Sequence, residues 1–228
     1  MHPDRNAPPF NPLPPVVWAL ALPIFVIELV FQAASAGFVG GAAGVGWRLD
    51  ALNRFAFAPQ ILEQMVTLGR YPPDQLLRFL TYPFVHQDFT HMLFVVVFVL
   101  ALGKMVAELF HPAAVLVVFF GAAVFGALCY TYLQPSPVAL FGGYPGVYGL
   151  IGAYTFILWT GLGRVGENRM RAFTLIGFLL GIQLIFGLLF GGGNAWVAEL
   201  GGFVAGFLMS FLVSPGGVAR VRARLRQR

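Results

Sequence analysis

The chain has 228 residues, 58% hydrophobic and only 10% charged, with 28 Gly, 24 Phe and a formal net charge of +5. A soluble globular domain carries about a quarter charged residues. With a mean hydropathy of +0.79, the composition excludes an ordinary water-soluble fold and indicates a bilayer solvent. The single cysteine, Cys129, excludes an intramolecular disulfide.

Residues 1–15 are Pro-rich and read as an irregular tail. The first apolar run of spanning length is Val16–Gly37, interrupted by Glu28 and Gln32. Its Ala34-Ser35-Ala36 end resembles a signal-peptide cleavage site, but the run is long, holds Glu28 and follows one basic residue, Arg5; a retained span is expected. Glu28 and Gln32 share a helix face, which favours packing toward the bundle interior over a proton relay. The loop 38–79 is too long for a mere connection, and its stretch Phe55–Arg70 has the apolar spacing of an interfacial helix. Further spans centre on Met92–Gly103 and cover Ala113–Tyr132, Gly146–Leu162, Ala172–Phe190 and Ala195–Val213. The expectation is six helices in one membrane domain, 16–213, followed by a basic tail, 214–228. The runs are continuously apolar, whereas barrel strands would alternate.

Charge placement sets the expected orientation. Lys104 follows the second span, Arg164, Arg169 and Arg171 follow the fourth, and Arg220, Arg222, Arg224, Arg226 and Arg228 fill the tail, while 133–145 and 191–194 hold no Lys or Arg. Both termini are therefore expected on the cytoplasmic side of the cell (inner) membrane. Arg48, Arg54, Arg70 and Arg78 in the first loop run against this rule, partly balanced by Asp50, Glu63 and Asp74. The Arg220–Arg228 tail reads as an orientation signal and an anionic-lipid contact, not a nucleic-acid patch. Gly177/Gly181, Gly187/Gly191 and Gly202/Gly206 each place small residues one turn apart, where helix backbones can approach closely.

Three stretches carry the residues that bear on chemistry. Arg78–Phe110 contains Arg78, Thr81, His86, His91, Gly103 and Glu108; Phe141–Tyr154 reads FGGYPGVYGLIGAY; Ala198–Phe207 reads AELGGFVAGF. In this order they resemble the motifs of the second, fourth and sixth helices of the rhomboid intramembrane serine proteases, and Trp47-Arg48 resembles a pair often found in that family's first loop, although an interfacial Trp anchored by an Arg explains it equally well. The resemblance implies an all-α, six-transmembrane-helix rhomboid-like bundle. It also implies a serine nucleophile opening the fourth helix, a histidine base on the sixth, and an oxyanion site using a histidine and an asparagine of the second.

Here the serine position falls on Tyr144 or Pro145, the histidine position on Glu199, and the asparagine position on Val95. Neither register supplies Ser, Thr or Cys, and the chain has four serines, Ser35, Ser136, Ser210 and Ser214. Pro145 also removes a backbone N–H near the helix start, where the family draws oxyanion donors. A hydroxyl needs a nearby base, and a tetrahedral oxyanion needs donors already in place. The resemblance thus implies a pseudoprotease with no catalytic residues, whose residual cavity is lined by His86, His91, Tyr144, Tyr148 and Glu199. A buried Glu199 needs a partner, and His91 is the expected one. A zinc site from His86, Asp88, His91 and Glu199 is disfavoured, because His-x-x-x-x-His is not the spacing of helical zinc sites. No cofactor is expected. The expected partners are transmembrane helices of other membrane proteins, bound for regulation, trafficking or quality control. The alternative is an active endopeptidase with a non-standard nucleophile, Ser136 or Tyr144. A transporter is disfavoured, since paired Gly/Pro-broken helices in equivalent halves are missing.

Overall fold

The computed structural model describes residues 12–133, 137–190 and 193–217. Ten α-helices are described: α1 (Pro15–Ser35), α2 (Gly41–Gly44), α3 (Trp47–Phe55), α4 (Pro59–Leu68), α5 (Pro73–Thr81), α6 (Phe89–Ala107), α7 (Pro112–Tyr132), α8 (Tyr144–Arg164), α9 (Thr174–Phe190) and α10 (Ala195–Val213). Four of them, α1, α4, α5 and α7, open on a proline, whose missing N–H costs nothing in the first turn. Asp88 caps α6, its side chain accepting the His91 backbone N–H at 2.8 Å.

Among the described residues, five helices are long and apolar enough to cross a membrane: α1, α6, α7, α8 and α10. The run expected as the remaining span, Ala172–Phe190, starts later than its composition suggests. Asn168 caps a 3-10 turn, Arg169–Phe173, and α9 begins only at Thr174, with 17 residues. The expected interfacial helix in the first loop is present as α4.

The bundle centres on α8, flanked by α7 and α10, with α6 on a further side and α1 packed on α6. Val17, Leu20 and Ile24 of α1, Met92, Val95 and Val99 of α6, and Leu150 and Ile151 of α8 share one buried cluster. Lipid tails are as apolar as leucine, so close packing holds such helices together more than hydrophobicity does. The expected Gly202/Gly206 pair supplies that packing. A Cβ at Gly206 would overlap the Gly149 carbonyl of α8, and one at Gly202 would overlap the Pro145 carbonyl. On the α7 side, a Cβ at Gly149 would overlap that of Ala122. The Gly177/Gly181 pair of α9 has nothing within 4 Å of either Cβ position, and Gly191 of the remaining pair lies outside the described residues.

The first loop is latched to the bundle by an ion pair. Arg48 of α3 donates to both carboxylate oxygens of Glu28 at 2.7 and 2.8 Å, and to the His86 carbonyl at 2.9 Å. Gln32 donates to the same carboxylate at 2.8 Å, as the shared face of α1 anticipates. Glu28 is 1% exposed, so its charge depends on these donors. Arg78 donates to the carbonyls of Asn53 and Ala56 at 3.0 and 2.9 Å. Two of the four arginines that run against the charge rule are thus bonded within the protein. Phe57 and Leu140 exchange backbone hydrogen bonds of 2.9 and 2.7 Å, which ties the first loop to the segment before α8. His86 completes the latch, its Nε2 accepting the Gly143 N–H at 3.3 Å one residue before α8.

Three outcomes follow for purified protein in detergent. Gly206→Ala should destabilise the bundle by about 1–3 kcal/mol, an overpacking cost, while Gly177→Ala should not; equal melting shifts would contradict the packing described. Arg48→Ala should cost about 3–5 kcal/mol by leaving Glu28 buried and unpaired. The Glu28→Ala/Arg48→Ala double variant should recover part of that loss in the same melts. Burial, followed by the neighbouring His91, lowers the His86 pKa from 6.5 to about 3. The unfolded chain therefore takes up this proton at a higher pH than the folded chain. The His86 contribution is complete above pH 6.5 and is lost as pH falls toward 3, with a slope of up to ~1.4 kcal/mol per pH unit. His86→Gln should flatten the acid limb of a stability–pH curve, and an unchanged limb would refute the assignment.

Candidate functional site

Helices α6, α8 and α10 all begin at one end of the bundle, where α7 ends. Lys104, Arg164, Arg169 and Arg171 lie at or beyond the other ends of α6 and α8. Between the three helix starts lies a cavity of about 500 Å³, bounded by residues 138–141 before α8 and 193–195 at the start of α10.

Tyr144 and Pro145 both line it, so both candidate registers of the motif open on the cavity. His91 forms a wall: its imidazole stacks on the Tyr144 ring, with centroids 5.1 Å apart and planes inclined by 15°. Behind it His86 meets His91 edge-on at 5.0 Å. His86 is 1% exposed and does not line the cavity; it is spent on holding Gly143. Gly142 makes this packing possible. It sits at φ +86°, and a Cβ there would lie 2.6 Å from the His91 ring, so only glycine suits both backbone and space. Val95 is fully buried, and its Cγ1 lies 2.7 Å from the Cβ position of Gly143. At the position matching the family's asparagine it offers an apolar surface.

Glu199 lines the cavity from the start of α10 and is 7% exposed. Its carboxylate acts electrostatically on the phenols of Tyr148 and Tyr144 in the first turns of α8. The expected partner, His91, makes no direct hydrogen bond to it through Nε2. The glycine contacts seat α10 against α8, which brings Glu199 to Tyr148, while His91 stacks on Tyr144 and its Nε2 has no hydrogen-bond partner. Glu199 and, more weakly, Asp88 act electrostatically on the Tyr144 phenol.

No group of three His, Cys, Asp or Glu side chains among the described residues is arranged to hold a metal ion. The described lining includes no Ser, Thr or Cys. Ser136 and the Arg220–Arg228 tail lie outside the described residues. Gln87, Tyr130, Phe141 and Asn194 also line the cavity and are not singled out by sequence. Phe141 was legible as the residue opening the FGGYP stretch, but Tyr130 arrives from the far end of α7 with no local signal.

The family model for the Rhomboid domain matches residues 73–216, more than half of the chain, running from α5 past α10. No curated protein matches the chain. The match takes in all three motif stretches and, with five apolar helices of crossing length, describes an integral, multi-pass membrane protein. The chain belongs to the rhomboid family.

Proposed function

We propose that this rhomboid-family protein is a pseudoprotease that binds the transmembrane segments of client membrane proteins without cleaving them, in regulation, trafficking or quality control. The observation that carries the proposal is the make-up of the cavity between the starts of α8 and α10, where Tyr144 and Pro145 on one side and Glu199 on the other occupy the positions that the resemblance gives to nucleophile and base. Hydrolysis at this place would need a hydroxyl or thiol beside a proton acceptor, and a pocket of donors for the developing oxyanion. Glu199 is a carboxylate, a weak base for a phenol whose ordinary pKa is about 10. Val95 offers no donor, Pro145 has no N–H, and the Gly143 N–H is taken by His86. A negative Glu199 beside the reacting carbonyl would oppose an oxyanion rather than stabilise it.

Client binding is supported by what surrounds the cavity. Helix α9 leaves Phe178, Ile185 and Leu189 exposed, and its Gly177 and Gly181 meet no neighbouring helix. A bare apolar flank with small residues one turn apart suits lateral association with another helix. The face between α6 and α9, leading to the cavity at His91, Tyr144 and Glu199, is the proposed client path; Tyr148, also expected in the cavity, is buried and not part of its lining. The charge distribution of the sequence supports placing the cavity on the outer side of a cell (inner) membrane, with both termini cytoplasmic. The role in quality control rests on analogy with inactive members of the family.

The test pairs capture with cleavage. A photoreactive amino acid at Tyr148 should crosslink membrane-protein segments in intact membranes. The purified protein should neither cut a helical transmembrane substrate nor react with a fluorophosphonate, a deficit on the order of 10⁶ against an intact dyad. Cleavage or labelling abolished by Ser136→Ala or Tyr144→Phe would establish the endopeptidase alternative instead.

A further inference from the structure

The end of the bundle opposite the cavity holds a guanidinium that the fold positions without engaging its donors. Helix α8 ends at Arg164, and the chain turns through Asn168, which caps the 3-10 turn Arg169–Phe173 by accepting the Met170 N–H at 2.9 Å. Arg169 folds back across the last turn of α8. Its guanidinium carbon lies 4.9 Å from the centroid of the Trp159 ring, and a Cβ at Gly163 would overlap the guanidinium. Trp159 and Gly163 are four residues apart on α8 and so share a face. Phe207 and Phe211 of α10 hold the Trp159 ring in turn, with centroids at 6.1 and 5.9 Å. The seat is thus an indole face beside a bare stretch of helix backbone. The carbonyl end of α8 favours a cation there. Even so, among the described residues no acceptor takes a hydrogen bond from Arg169 or Arg164. Arg171 differs, since Glu167 lies 3.5 Å from it in an exposed pair.

A guanidinium lying over an indole can still direct its N–H groups outward in its own plane, where they match two oxygens of a phosphate. The surroundings of Arg169 choose the kind of phosphate. Three arginines, Arg164, Arg169 and Arg171, stand against one carboxylate, Glu167, between α8 and α9. Val165 and Met170 in the same segment are apolar and exposed, and Trp159 is a residue type enriched where hydrocarbon meets headgroups. Exposed apolar side chains interspersed with arginines suit a membrane surface and contribute nothing to holding a soluble anion. By the charge distribution this end faces the cytoplasm, whose leaflet carries the anionic lipids. We propose that Arg169, seated on Trp159 and Gly163, binds the phosphate of an anionic phospholipid of that leaflet, with Arg164 adding positive charge. The inference is independent of the client-binding reading and of the lipid contact expected of the Arg220–Arg228 tail.

In the full chain carrying Trp18→Phe, Trp47→Phe and Trp196→Phe, Trp159 is the sole indole. This protein is reconstituted in phosphatidylcholine vesicles doped with brominated phosphatidylglycerol or brominated phosphatidylcholine, whose bromines quench a neighbouring indole. Trp159 should select phosphatidylglycerol by about fivefold, the effect of one basic residue at an anionic surface. Arg169→Gln should remove that preference. Arg169→Lys should lose most of it, because an ammonium is a point charge without the planar fork that pairs two oxygens. Changing Arg220, Arg222, Arg224, Arg226 and Arg228 together to Gln should leave it in place. Circular dichroism establishes that each variant is folded; should Arg169→Gln unfold, Arg169→Lys decides. Equal quenching by the two lipids overturns the proposal, as does a preference that persists in Arg169→Gln. A preference kept in full by Arg169→Lys reduces the effect to surface charge and overturns the seat. Its loss in the tail variant assigns the lipid to the tail and overturns the site. Its loss to excess glycerol phosphate at constant ionic strength assigns the seat to a soluble phosphate ester and overturns the lipid source.

Discussion

The structure depends on the direct contact of two helix backbones. Where Gly202 and Gly206 of α10 face the Pro145 and Gly149 carbonyls of α8, there is no room for a single methyl group. In a bilayer this replaces the hydrophobic effect as the reason two helices stay together. It also fixes their register. With the glycines seated, the Glu199 carboxylate lies close enough to act electrostatically on the Tyr148 phenol, and the shared surface with α7 is set by Ala122 against Gly149. The placement of Glu199 at the cavity is thus a consequence of apolar packing deeper in the bundle.

A second constraint acts from outside the helices. Glu28 would be an expensive charge within α1 without Arg48, and Arg48 also reaches the backbone of His86. His86 in turn holds Gly143, immediately before α8. One bonded path therefore runs from the first span, through the first loop, to the start of the helix that opens the cavity. The Phe57–Leu140 backbone pair runs parallel to it. The long first loop braces the segment that leads into α8, and it folds into four short helices, α2 to α5, rather than a tether.

The two constraints leave a space whose chemistry is set by what its donors and acceptors already do. A protease site keeps donors unspent for a transition state and places a base beside a nucleophile. Here the Gly143 N–H is bonded to His86, Pro145 has no N–H to donate, and Glu199 lines the cavity. What the cavity retains is aromatic surface and negative charge. On the proposed reading that surface receives a client, and the exposed apolar side chains of α9 (Phe178, Ile185 and Leu189) lie on the proposed path to it.

The sequence by itself determined the solvent, the helical class and the family motifs. These are properties of composition and of near-neighbour spacing: continuous apolar runs, Gly202-x-x-x-Gly206, and the order of the three stretches. It also marked Glu28 and Gln32 as facing inward together, because one helical turn separates them. It did not determine that α9 would begin only at Thr174, since the Asn168 cap and its 3-10 turn compete locally with an apolar pattern that continues through both. Nor did it determine which polar groups meet. Arg48 to Glu28 spans 20 residues and Tyr148 to Glu199 spans 51, and neither spacing has a period that could announce it. Tertiary structure decided those pairings, because a buried charge takes the partner that close packing brings to it, and packing here was dictated by glycines remote from the charges they align.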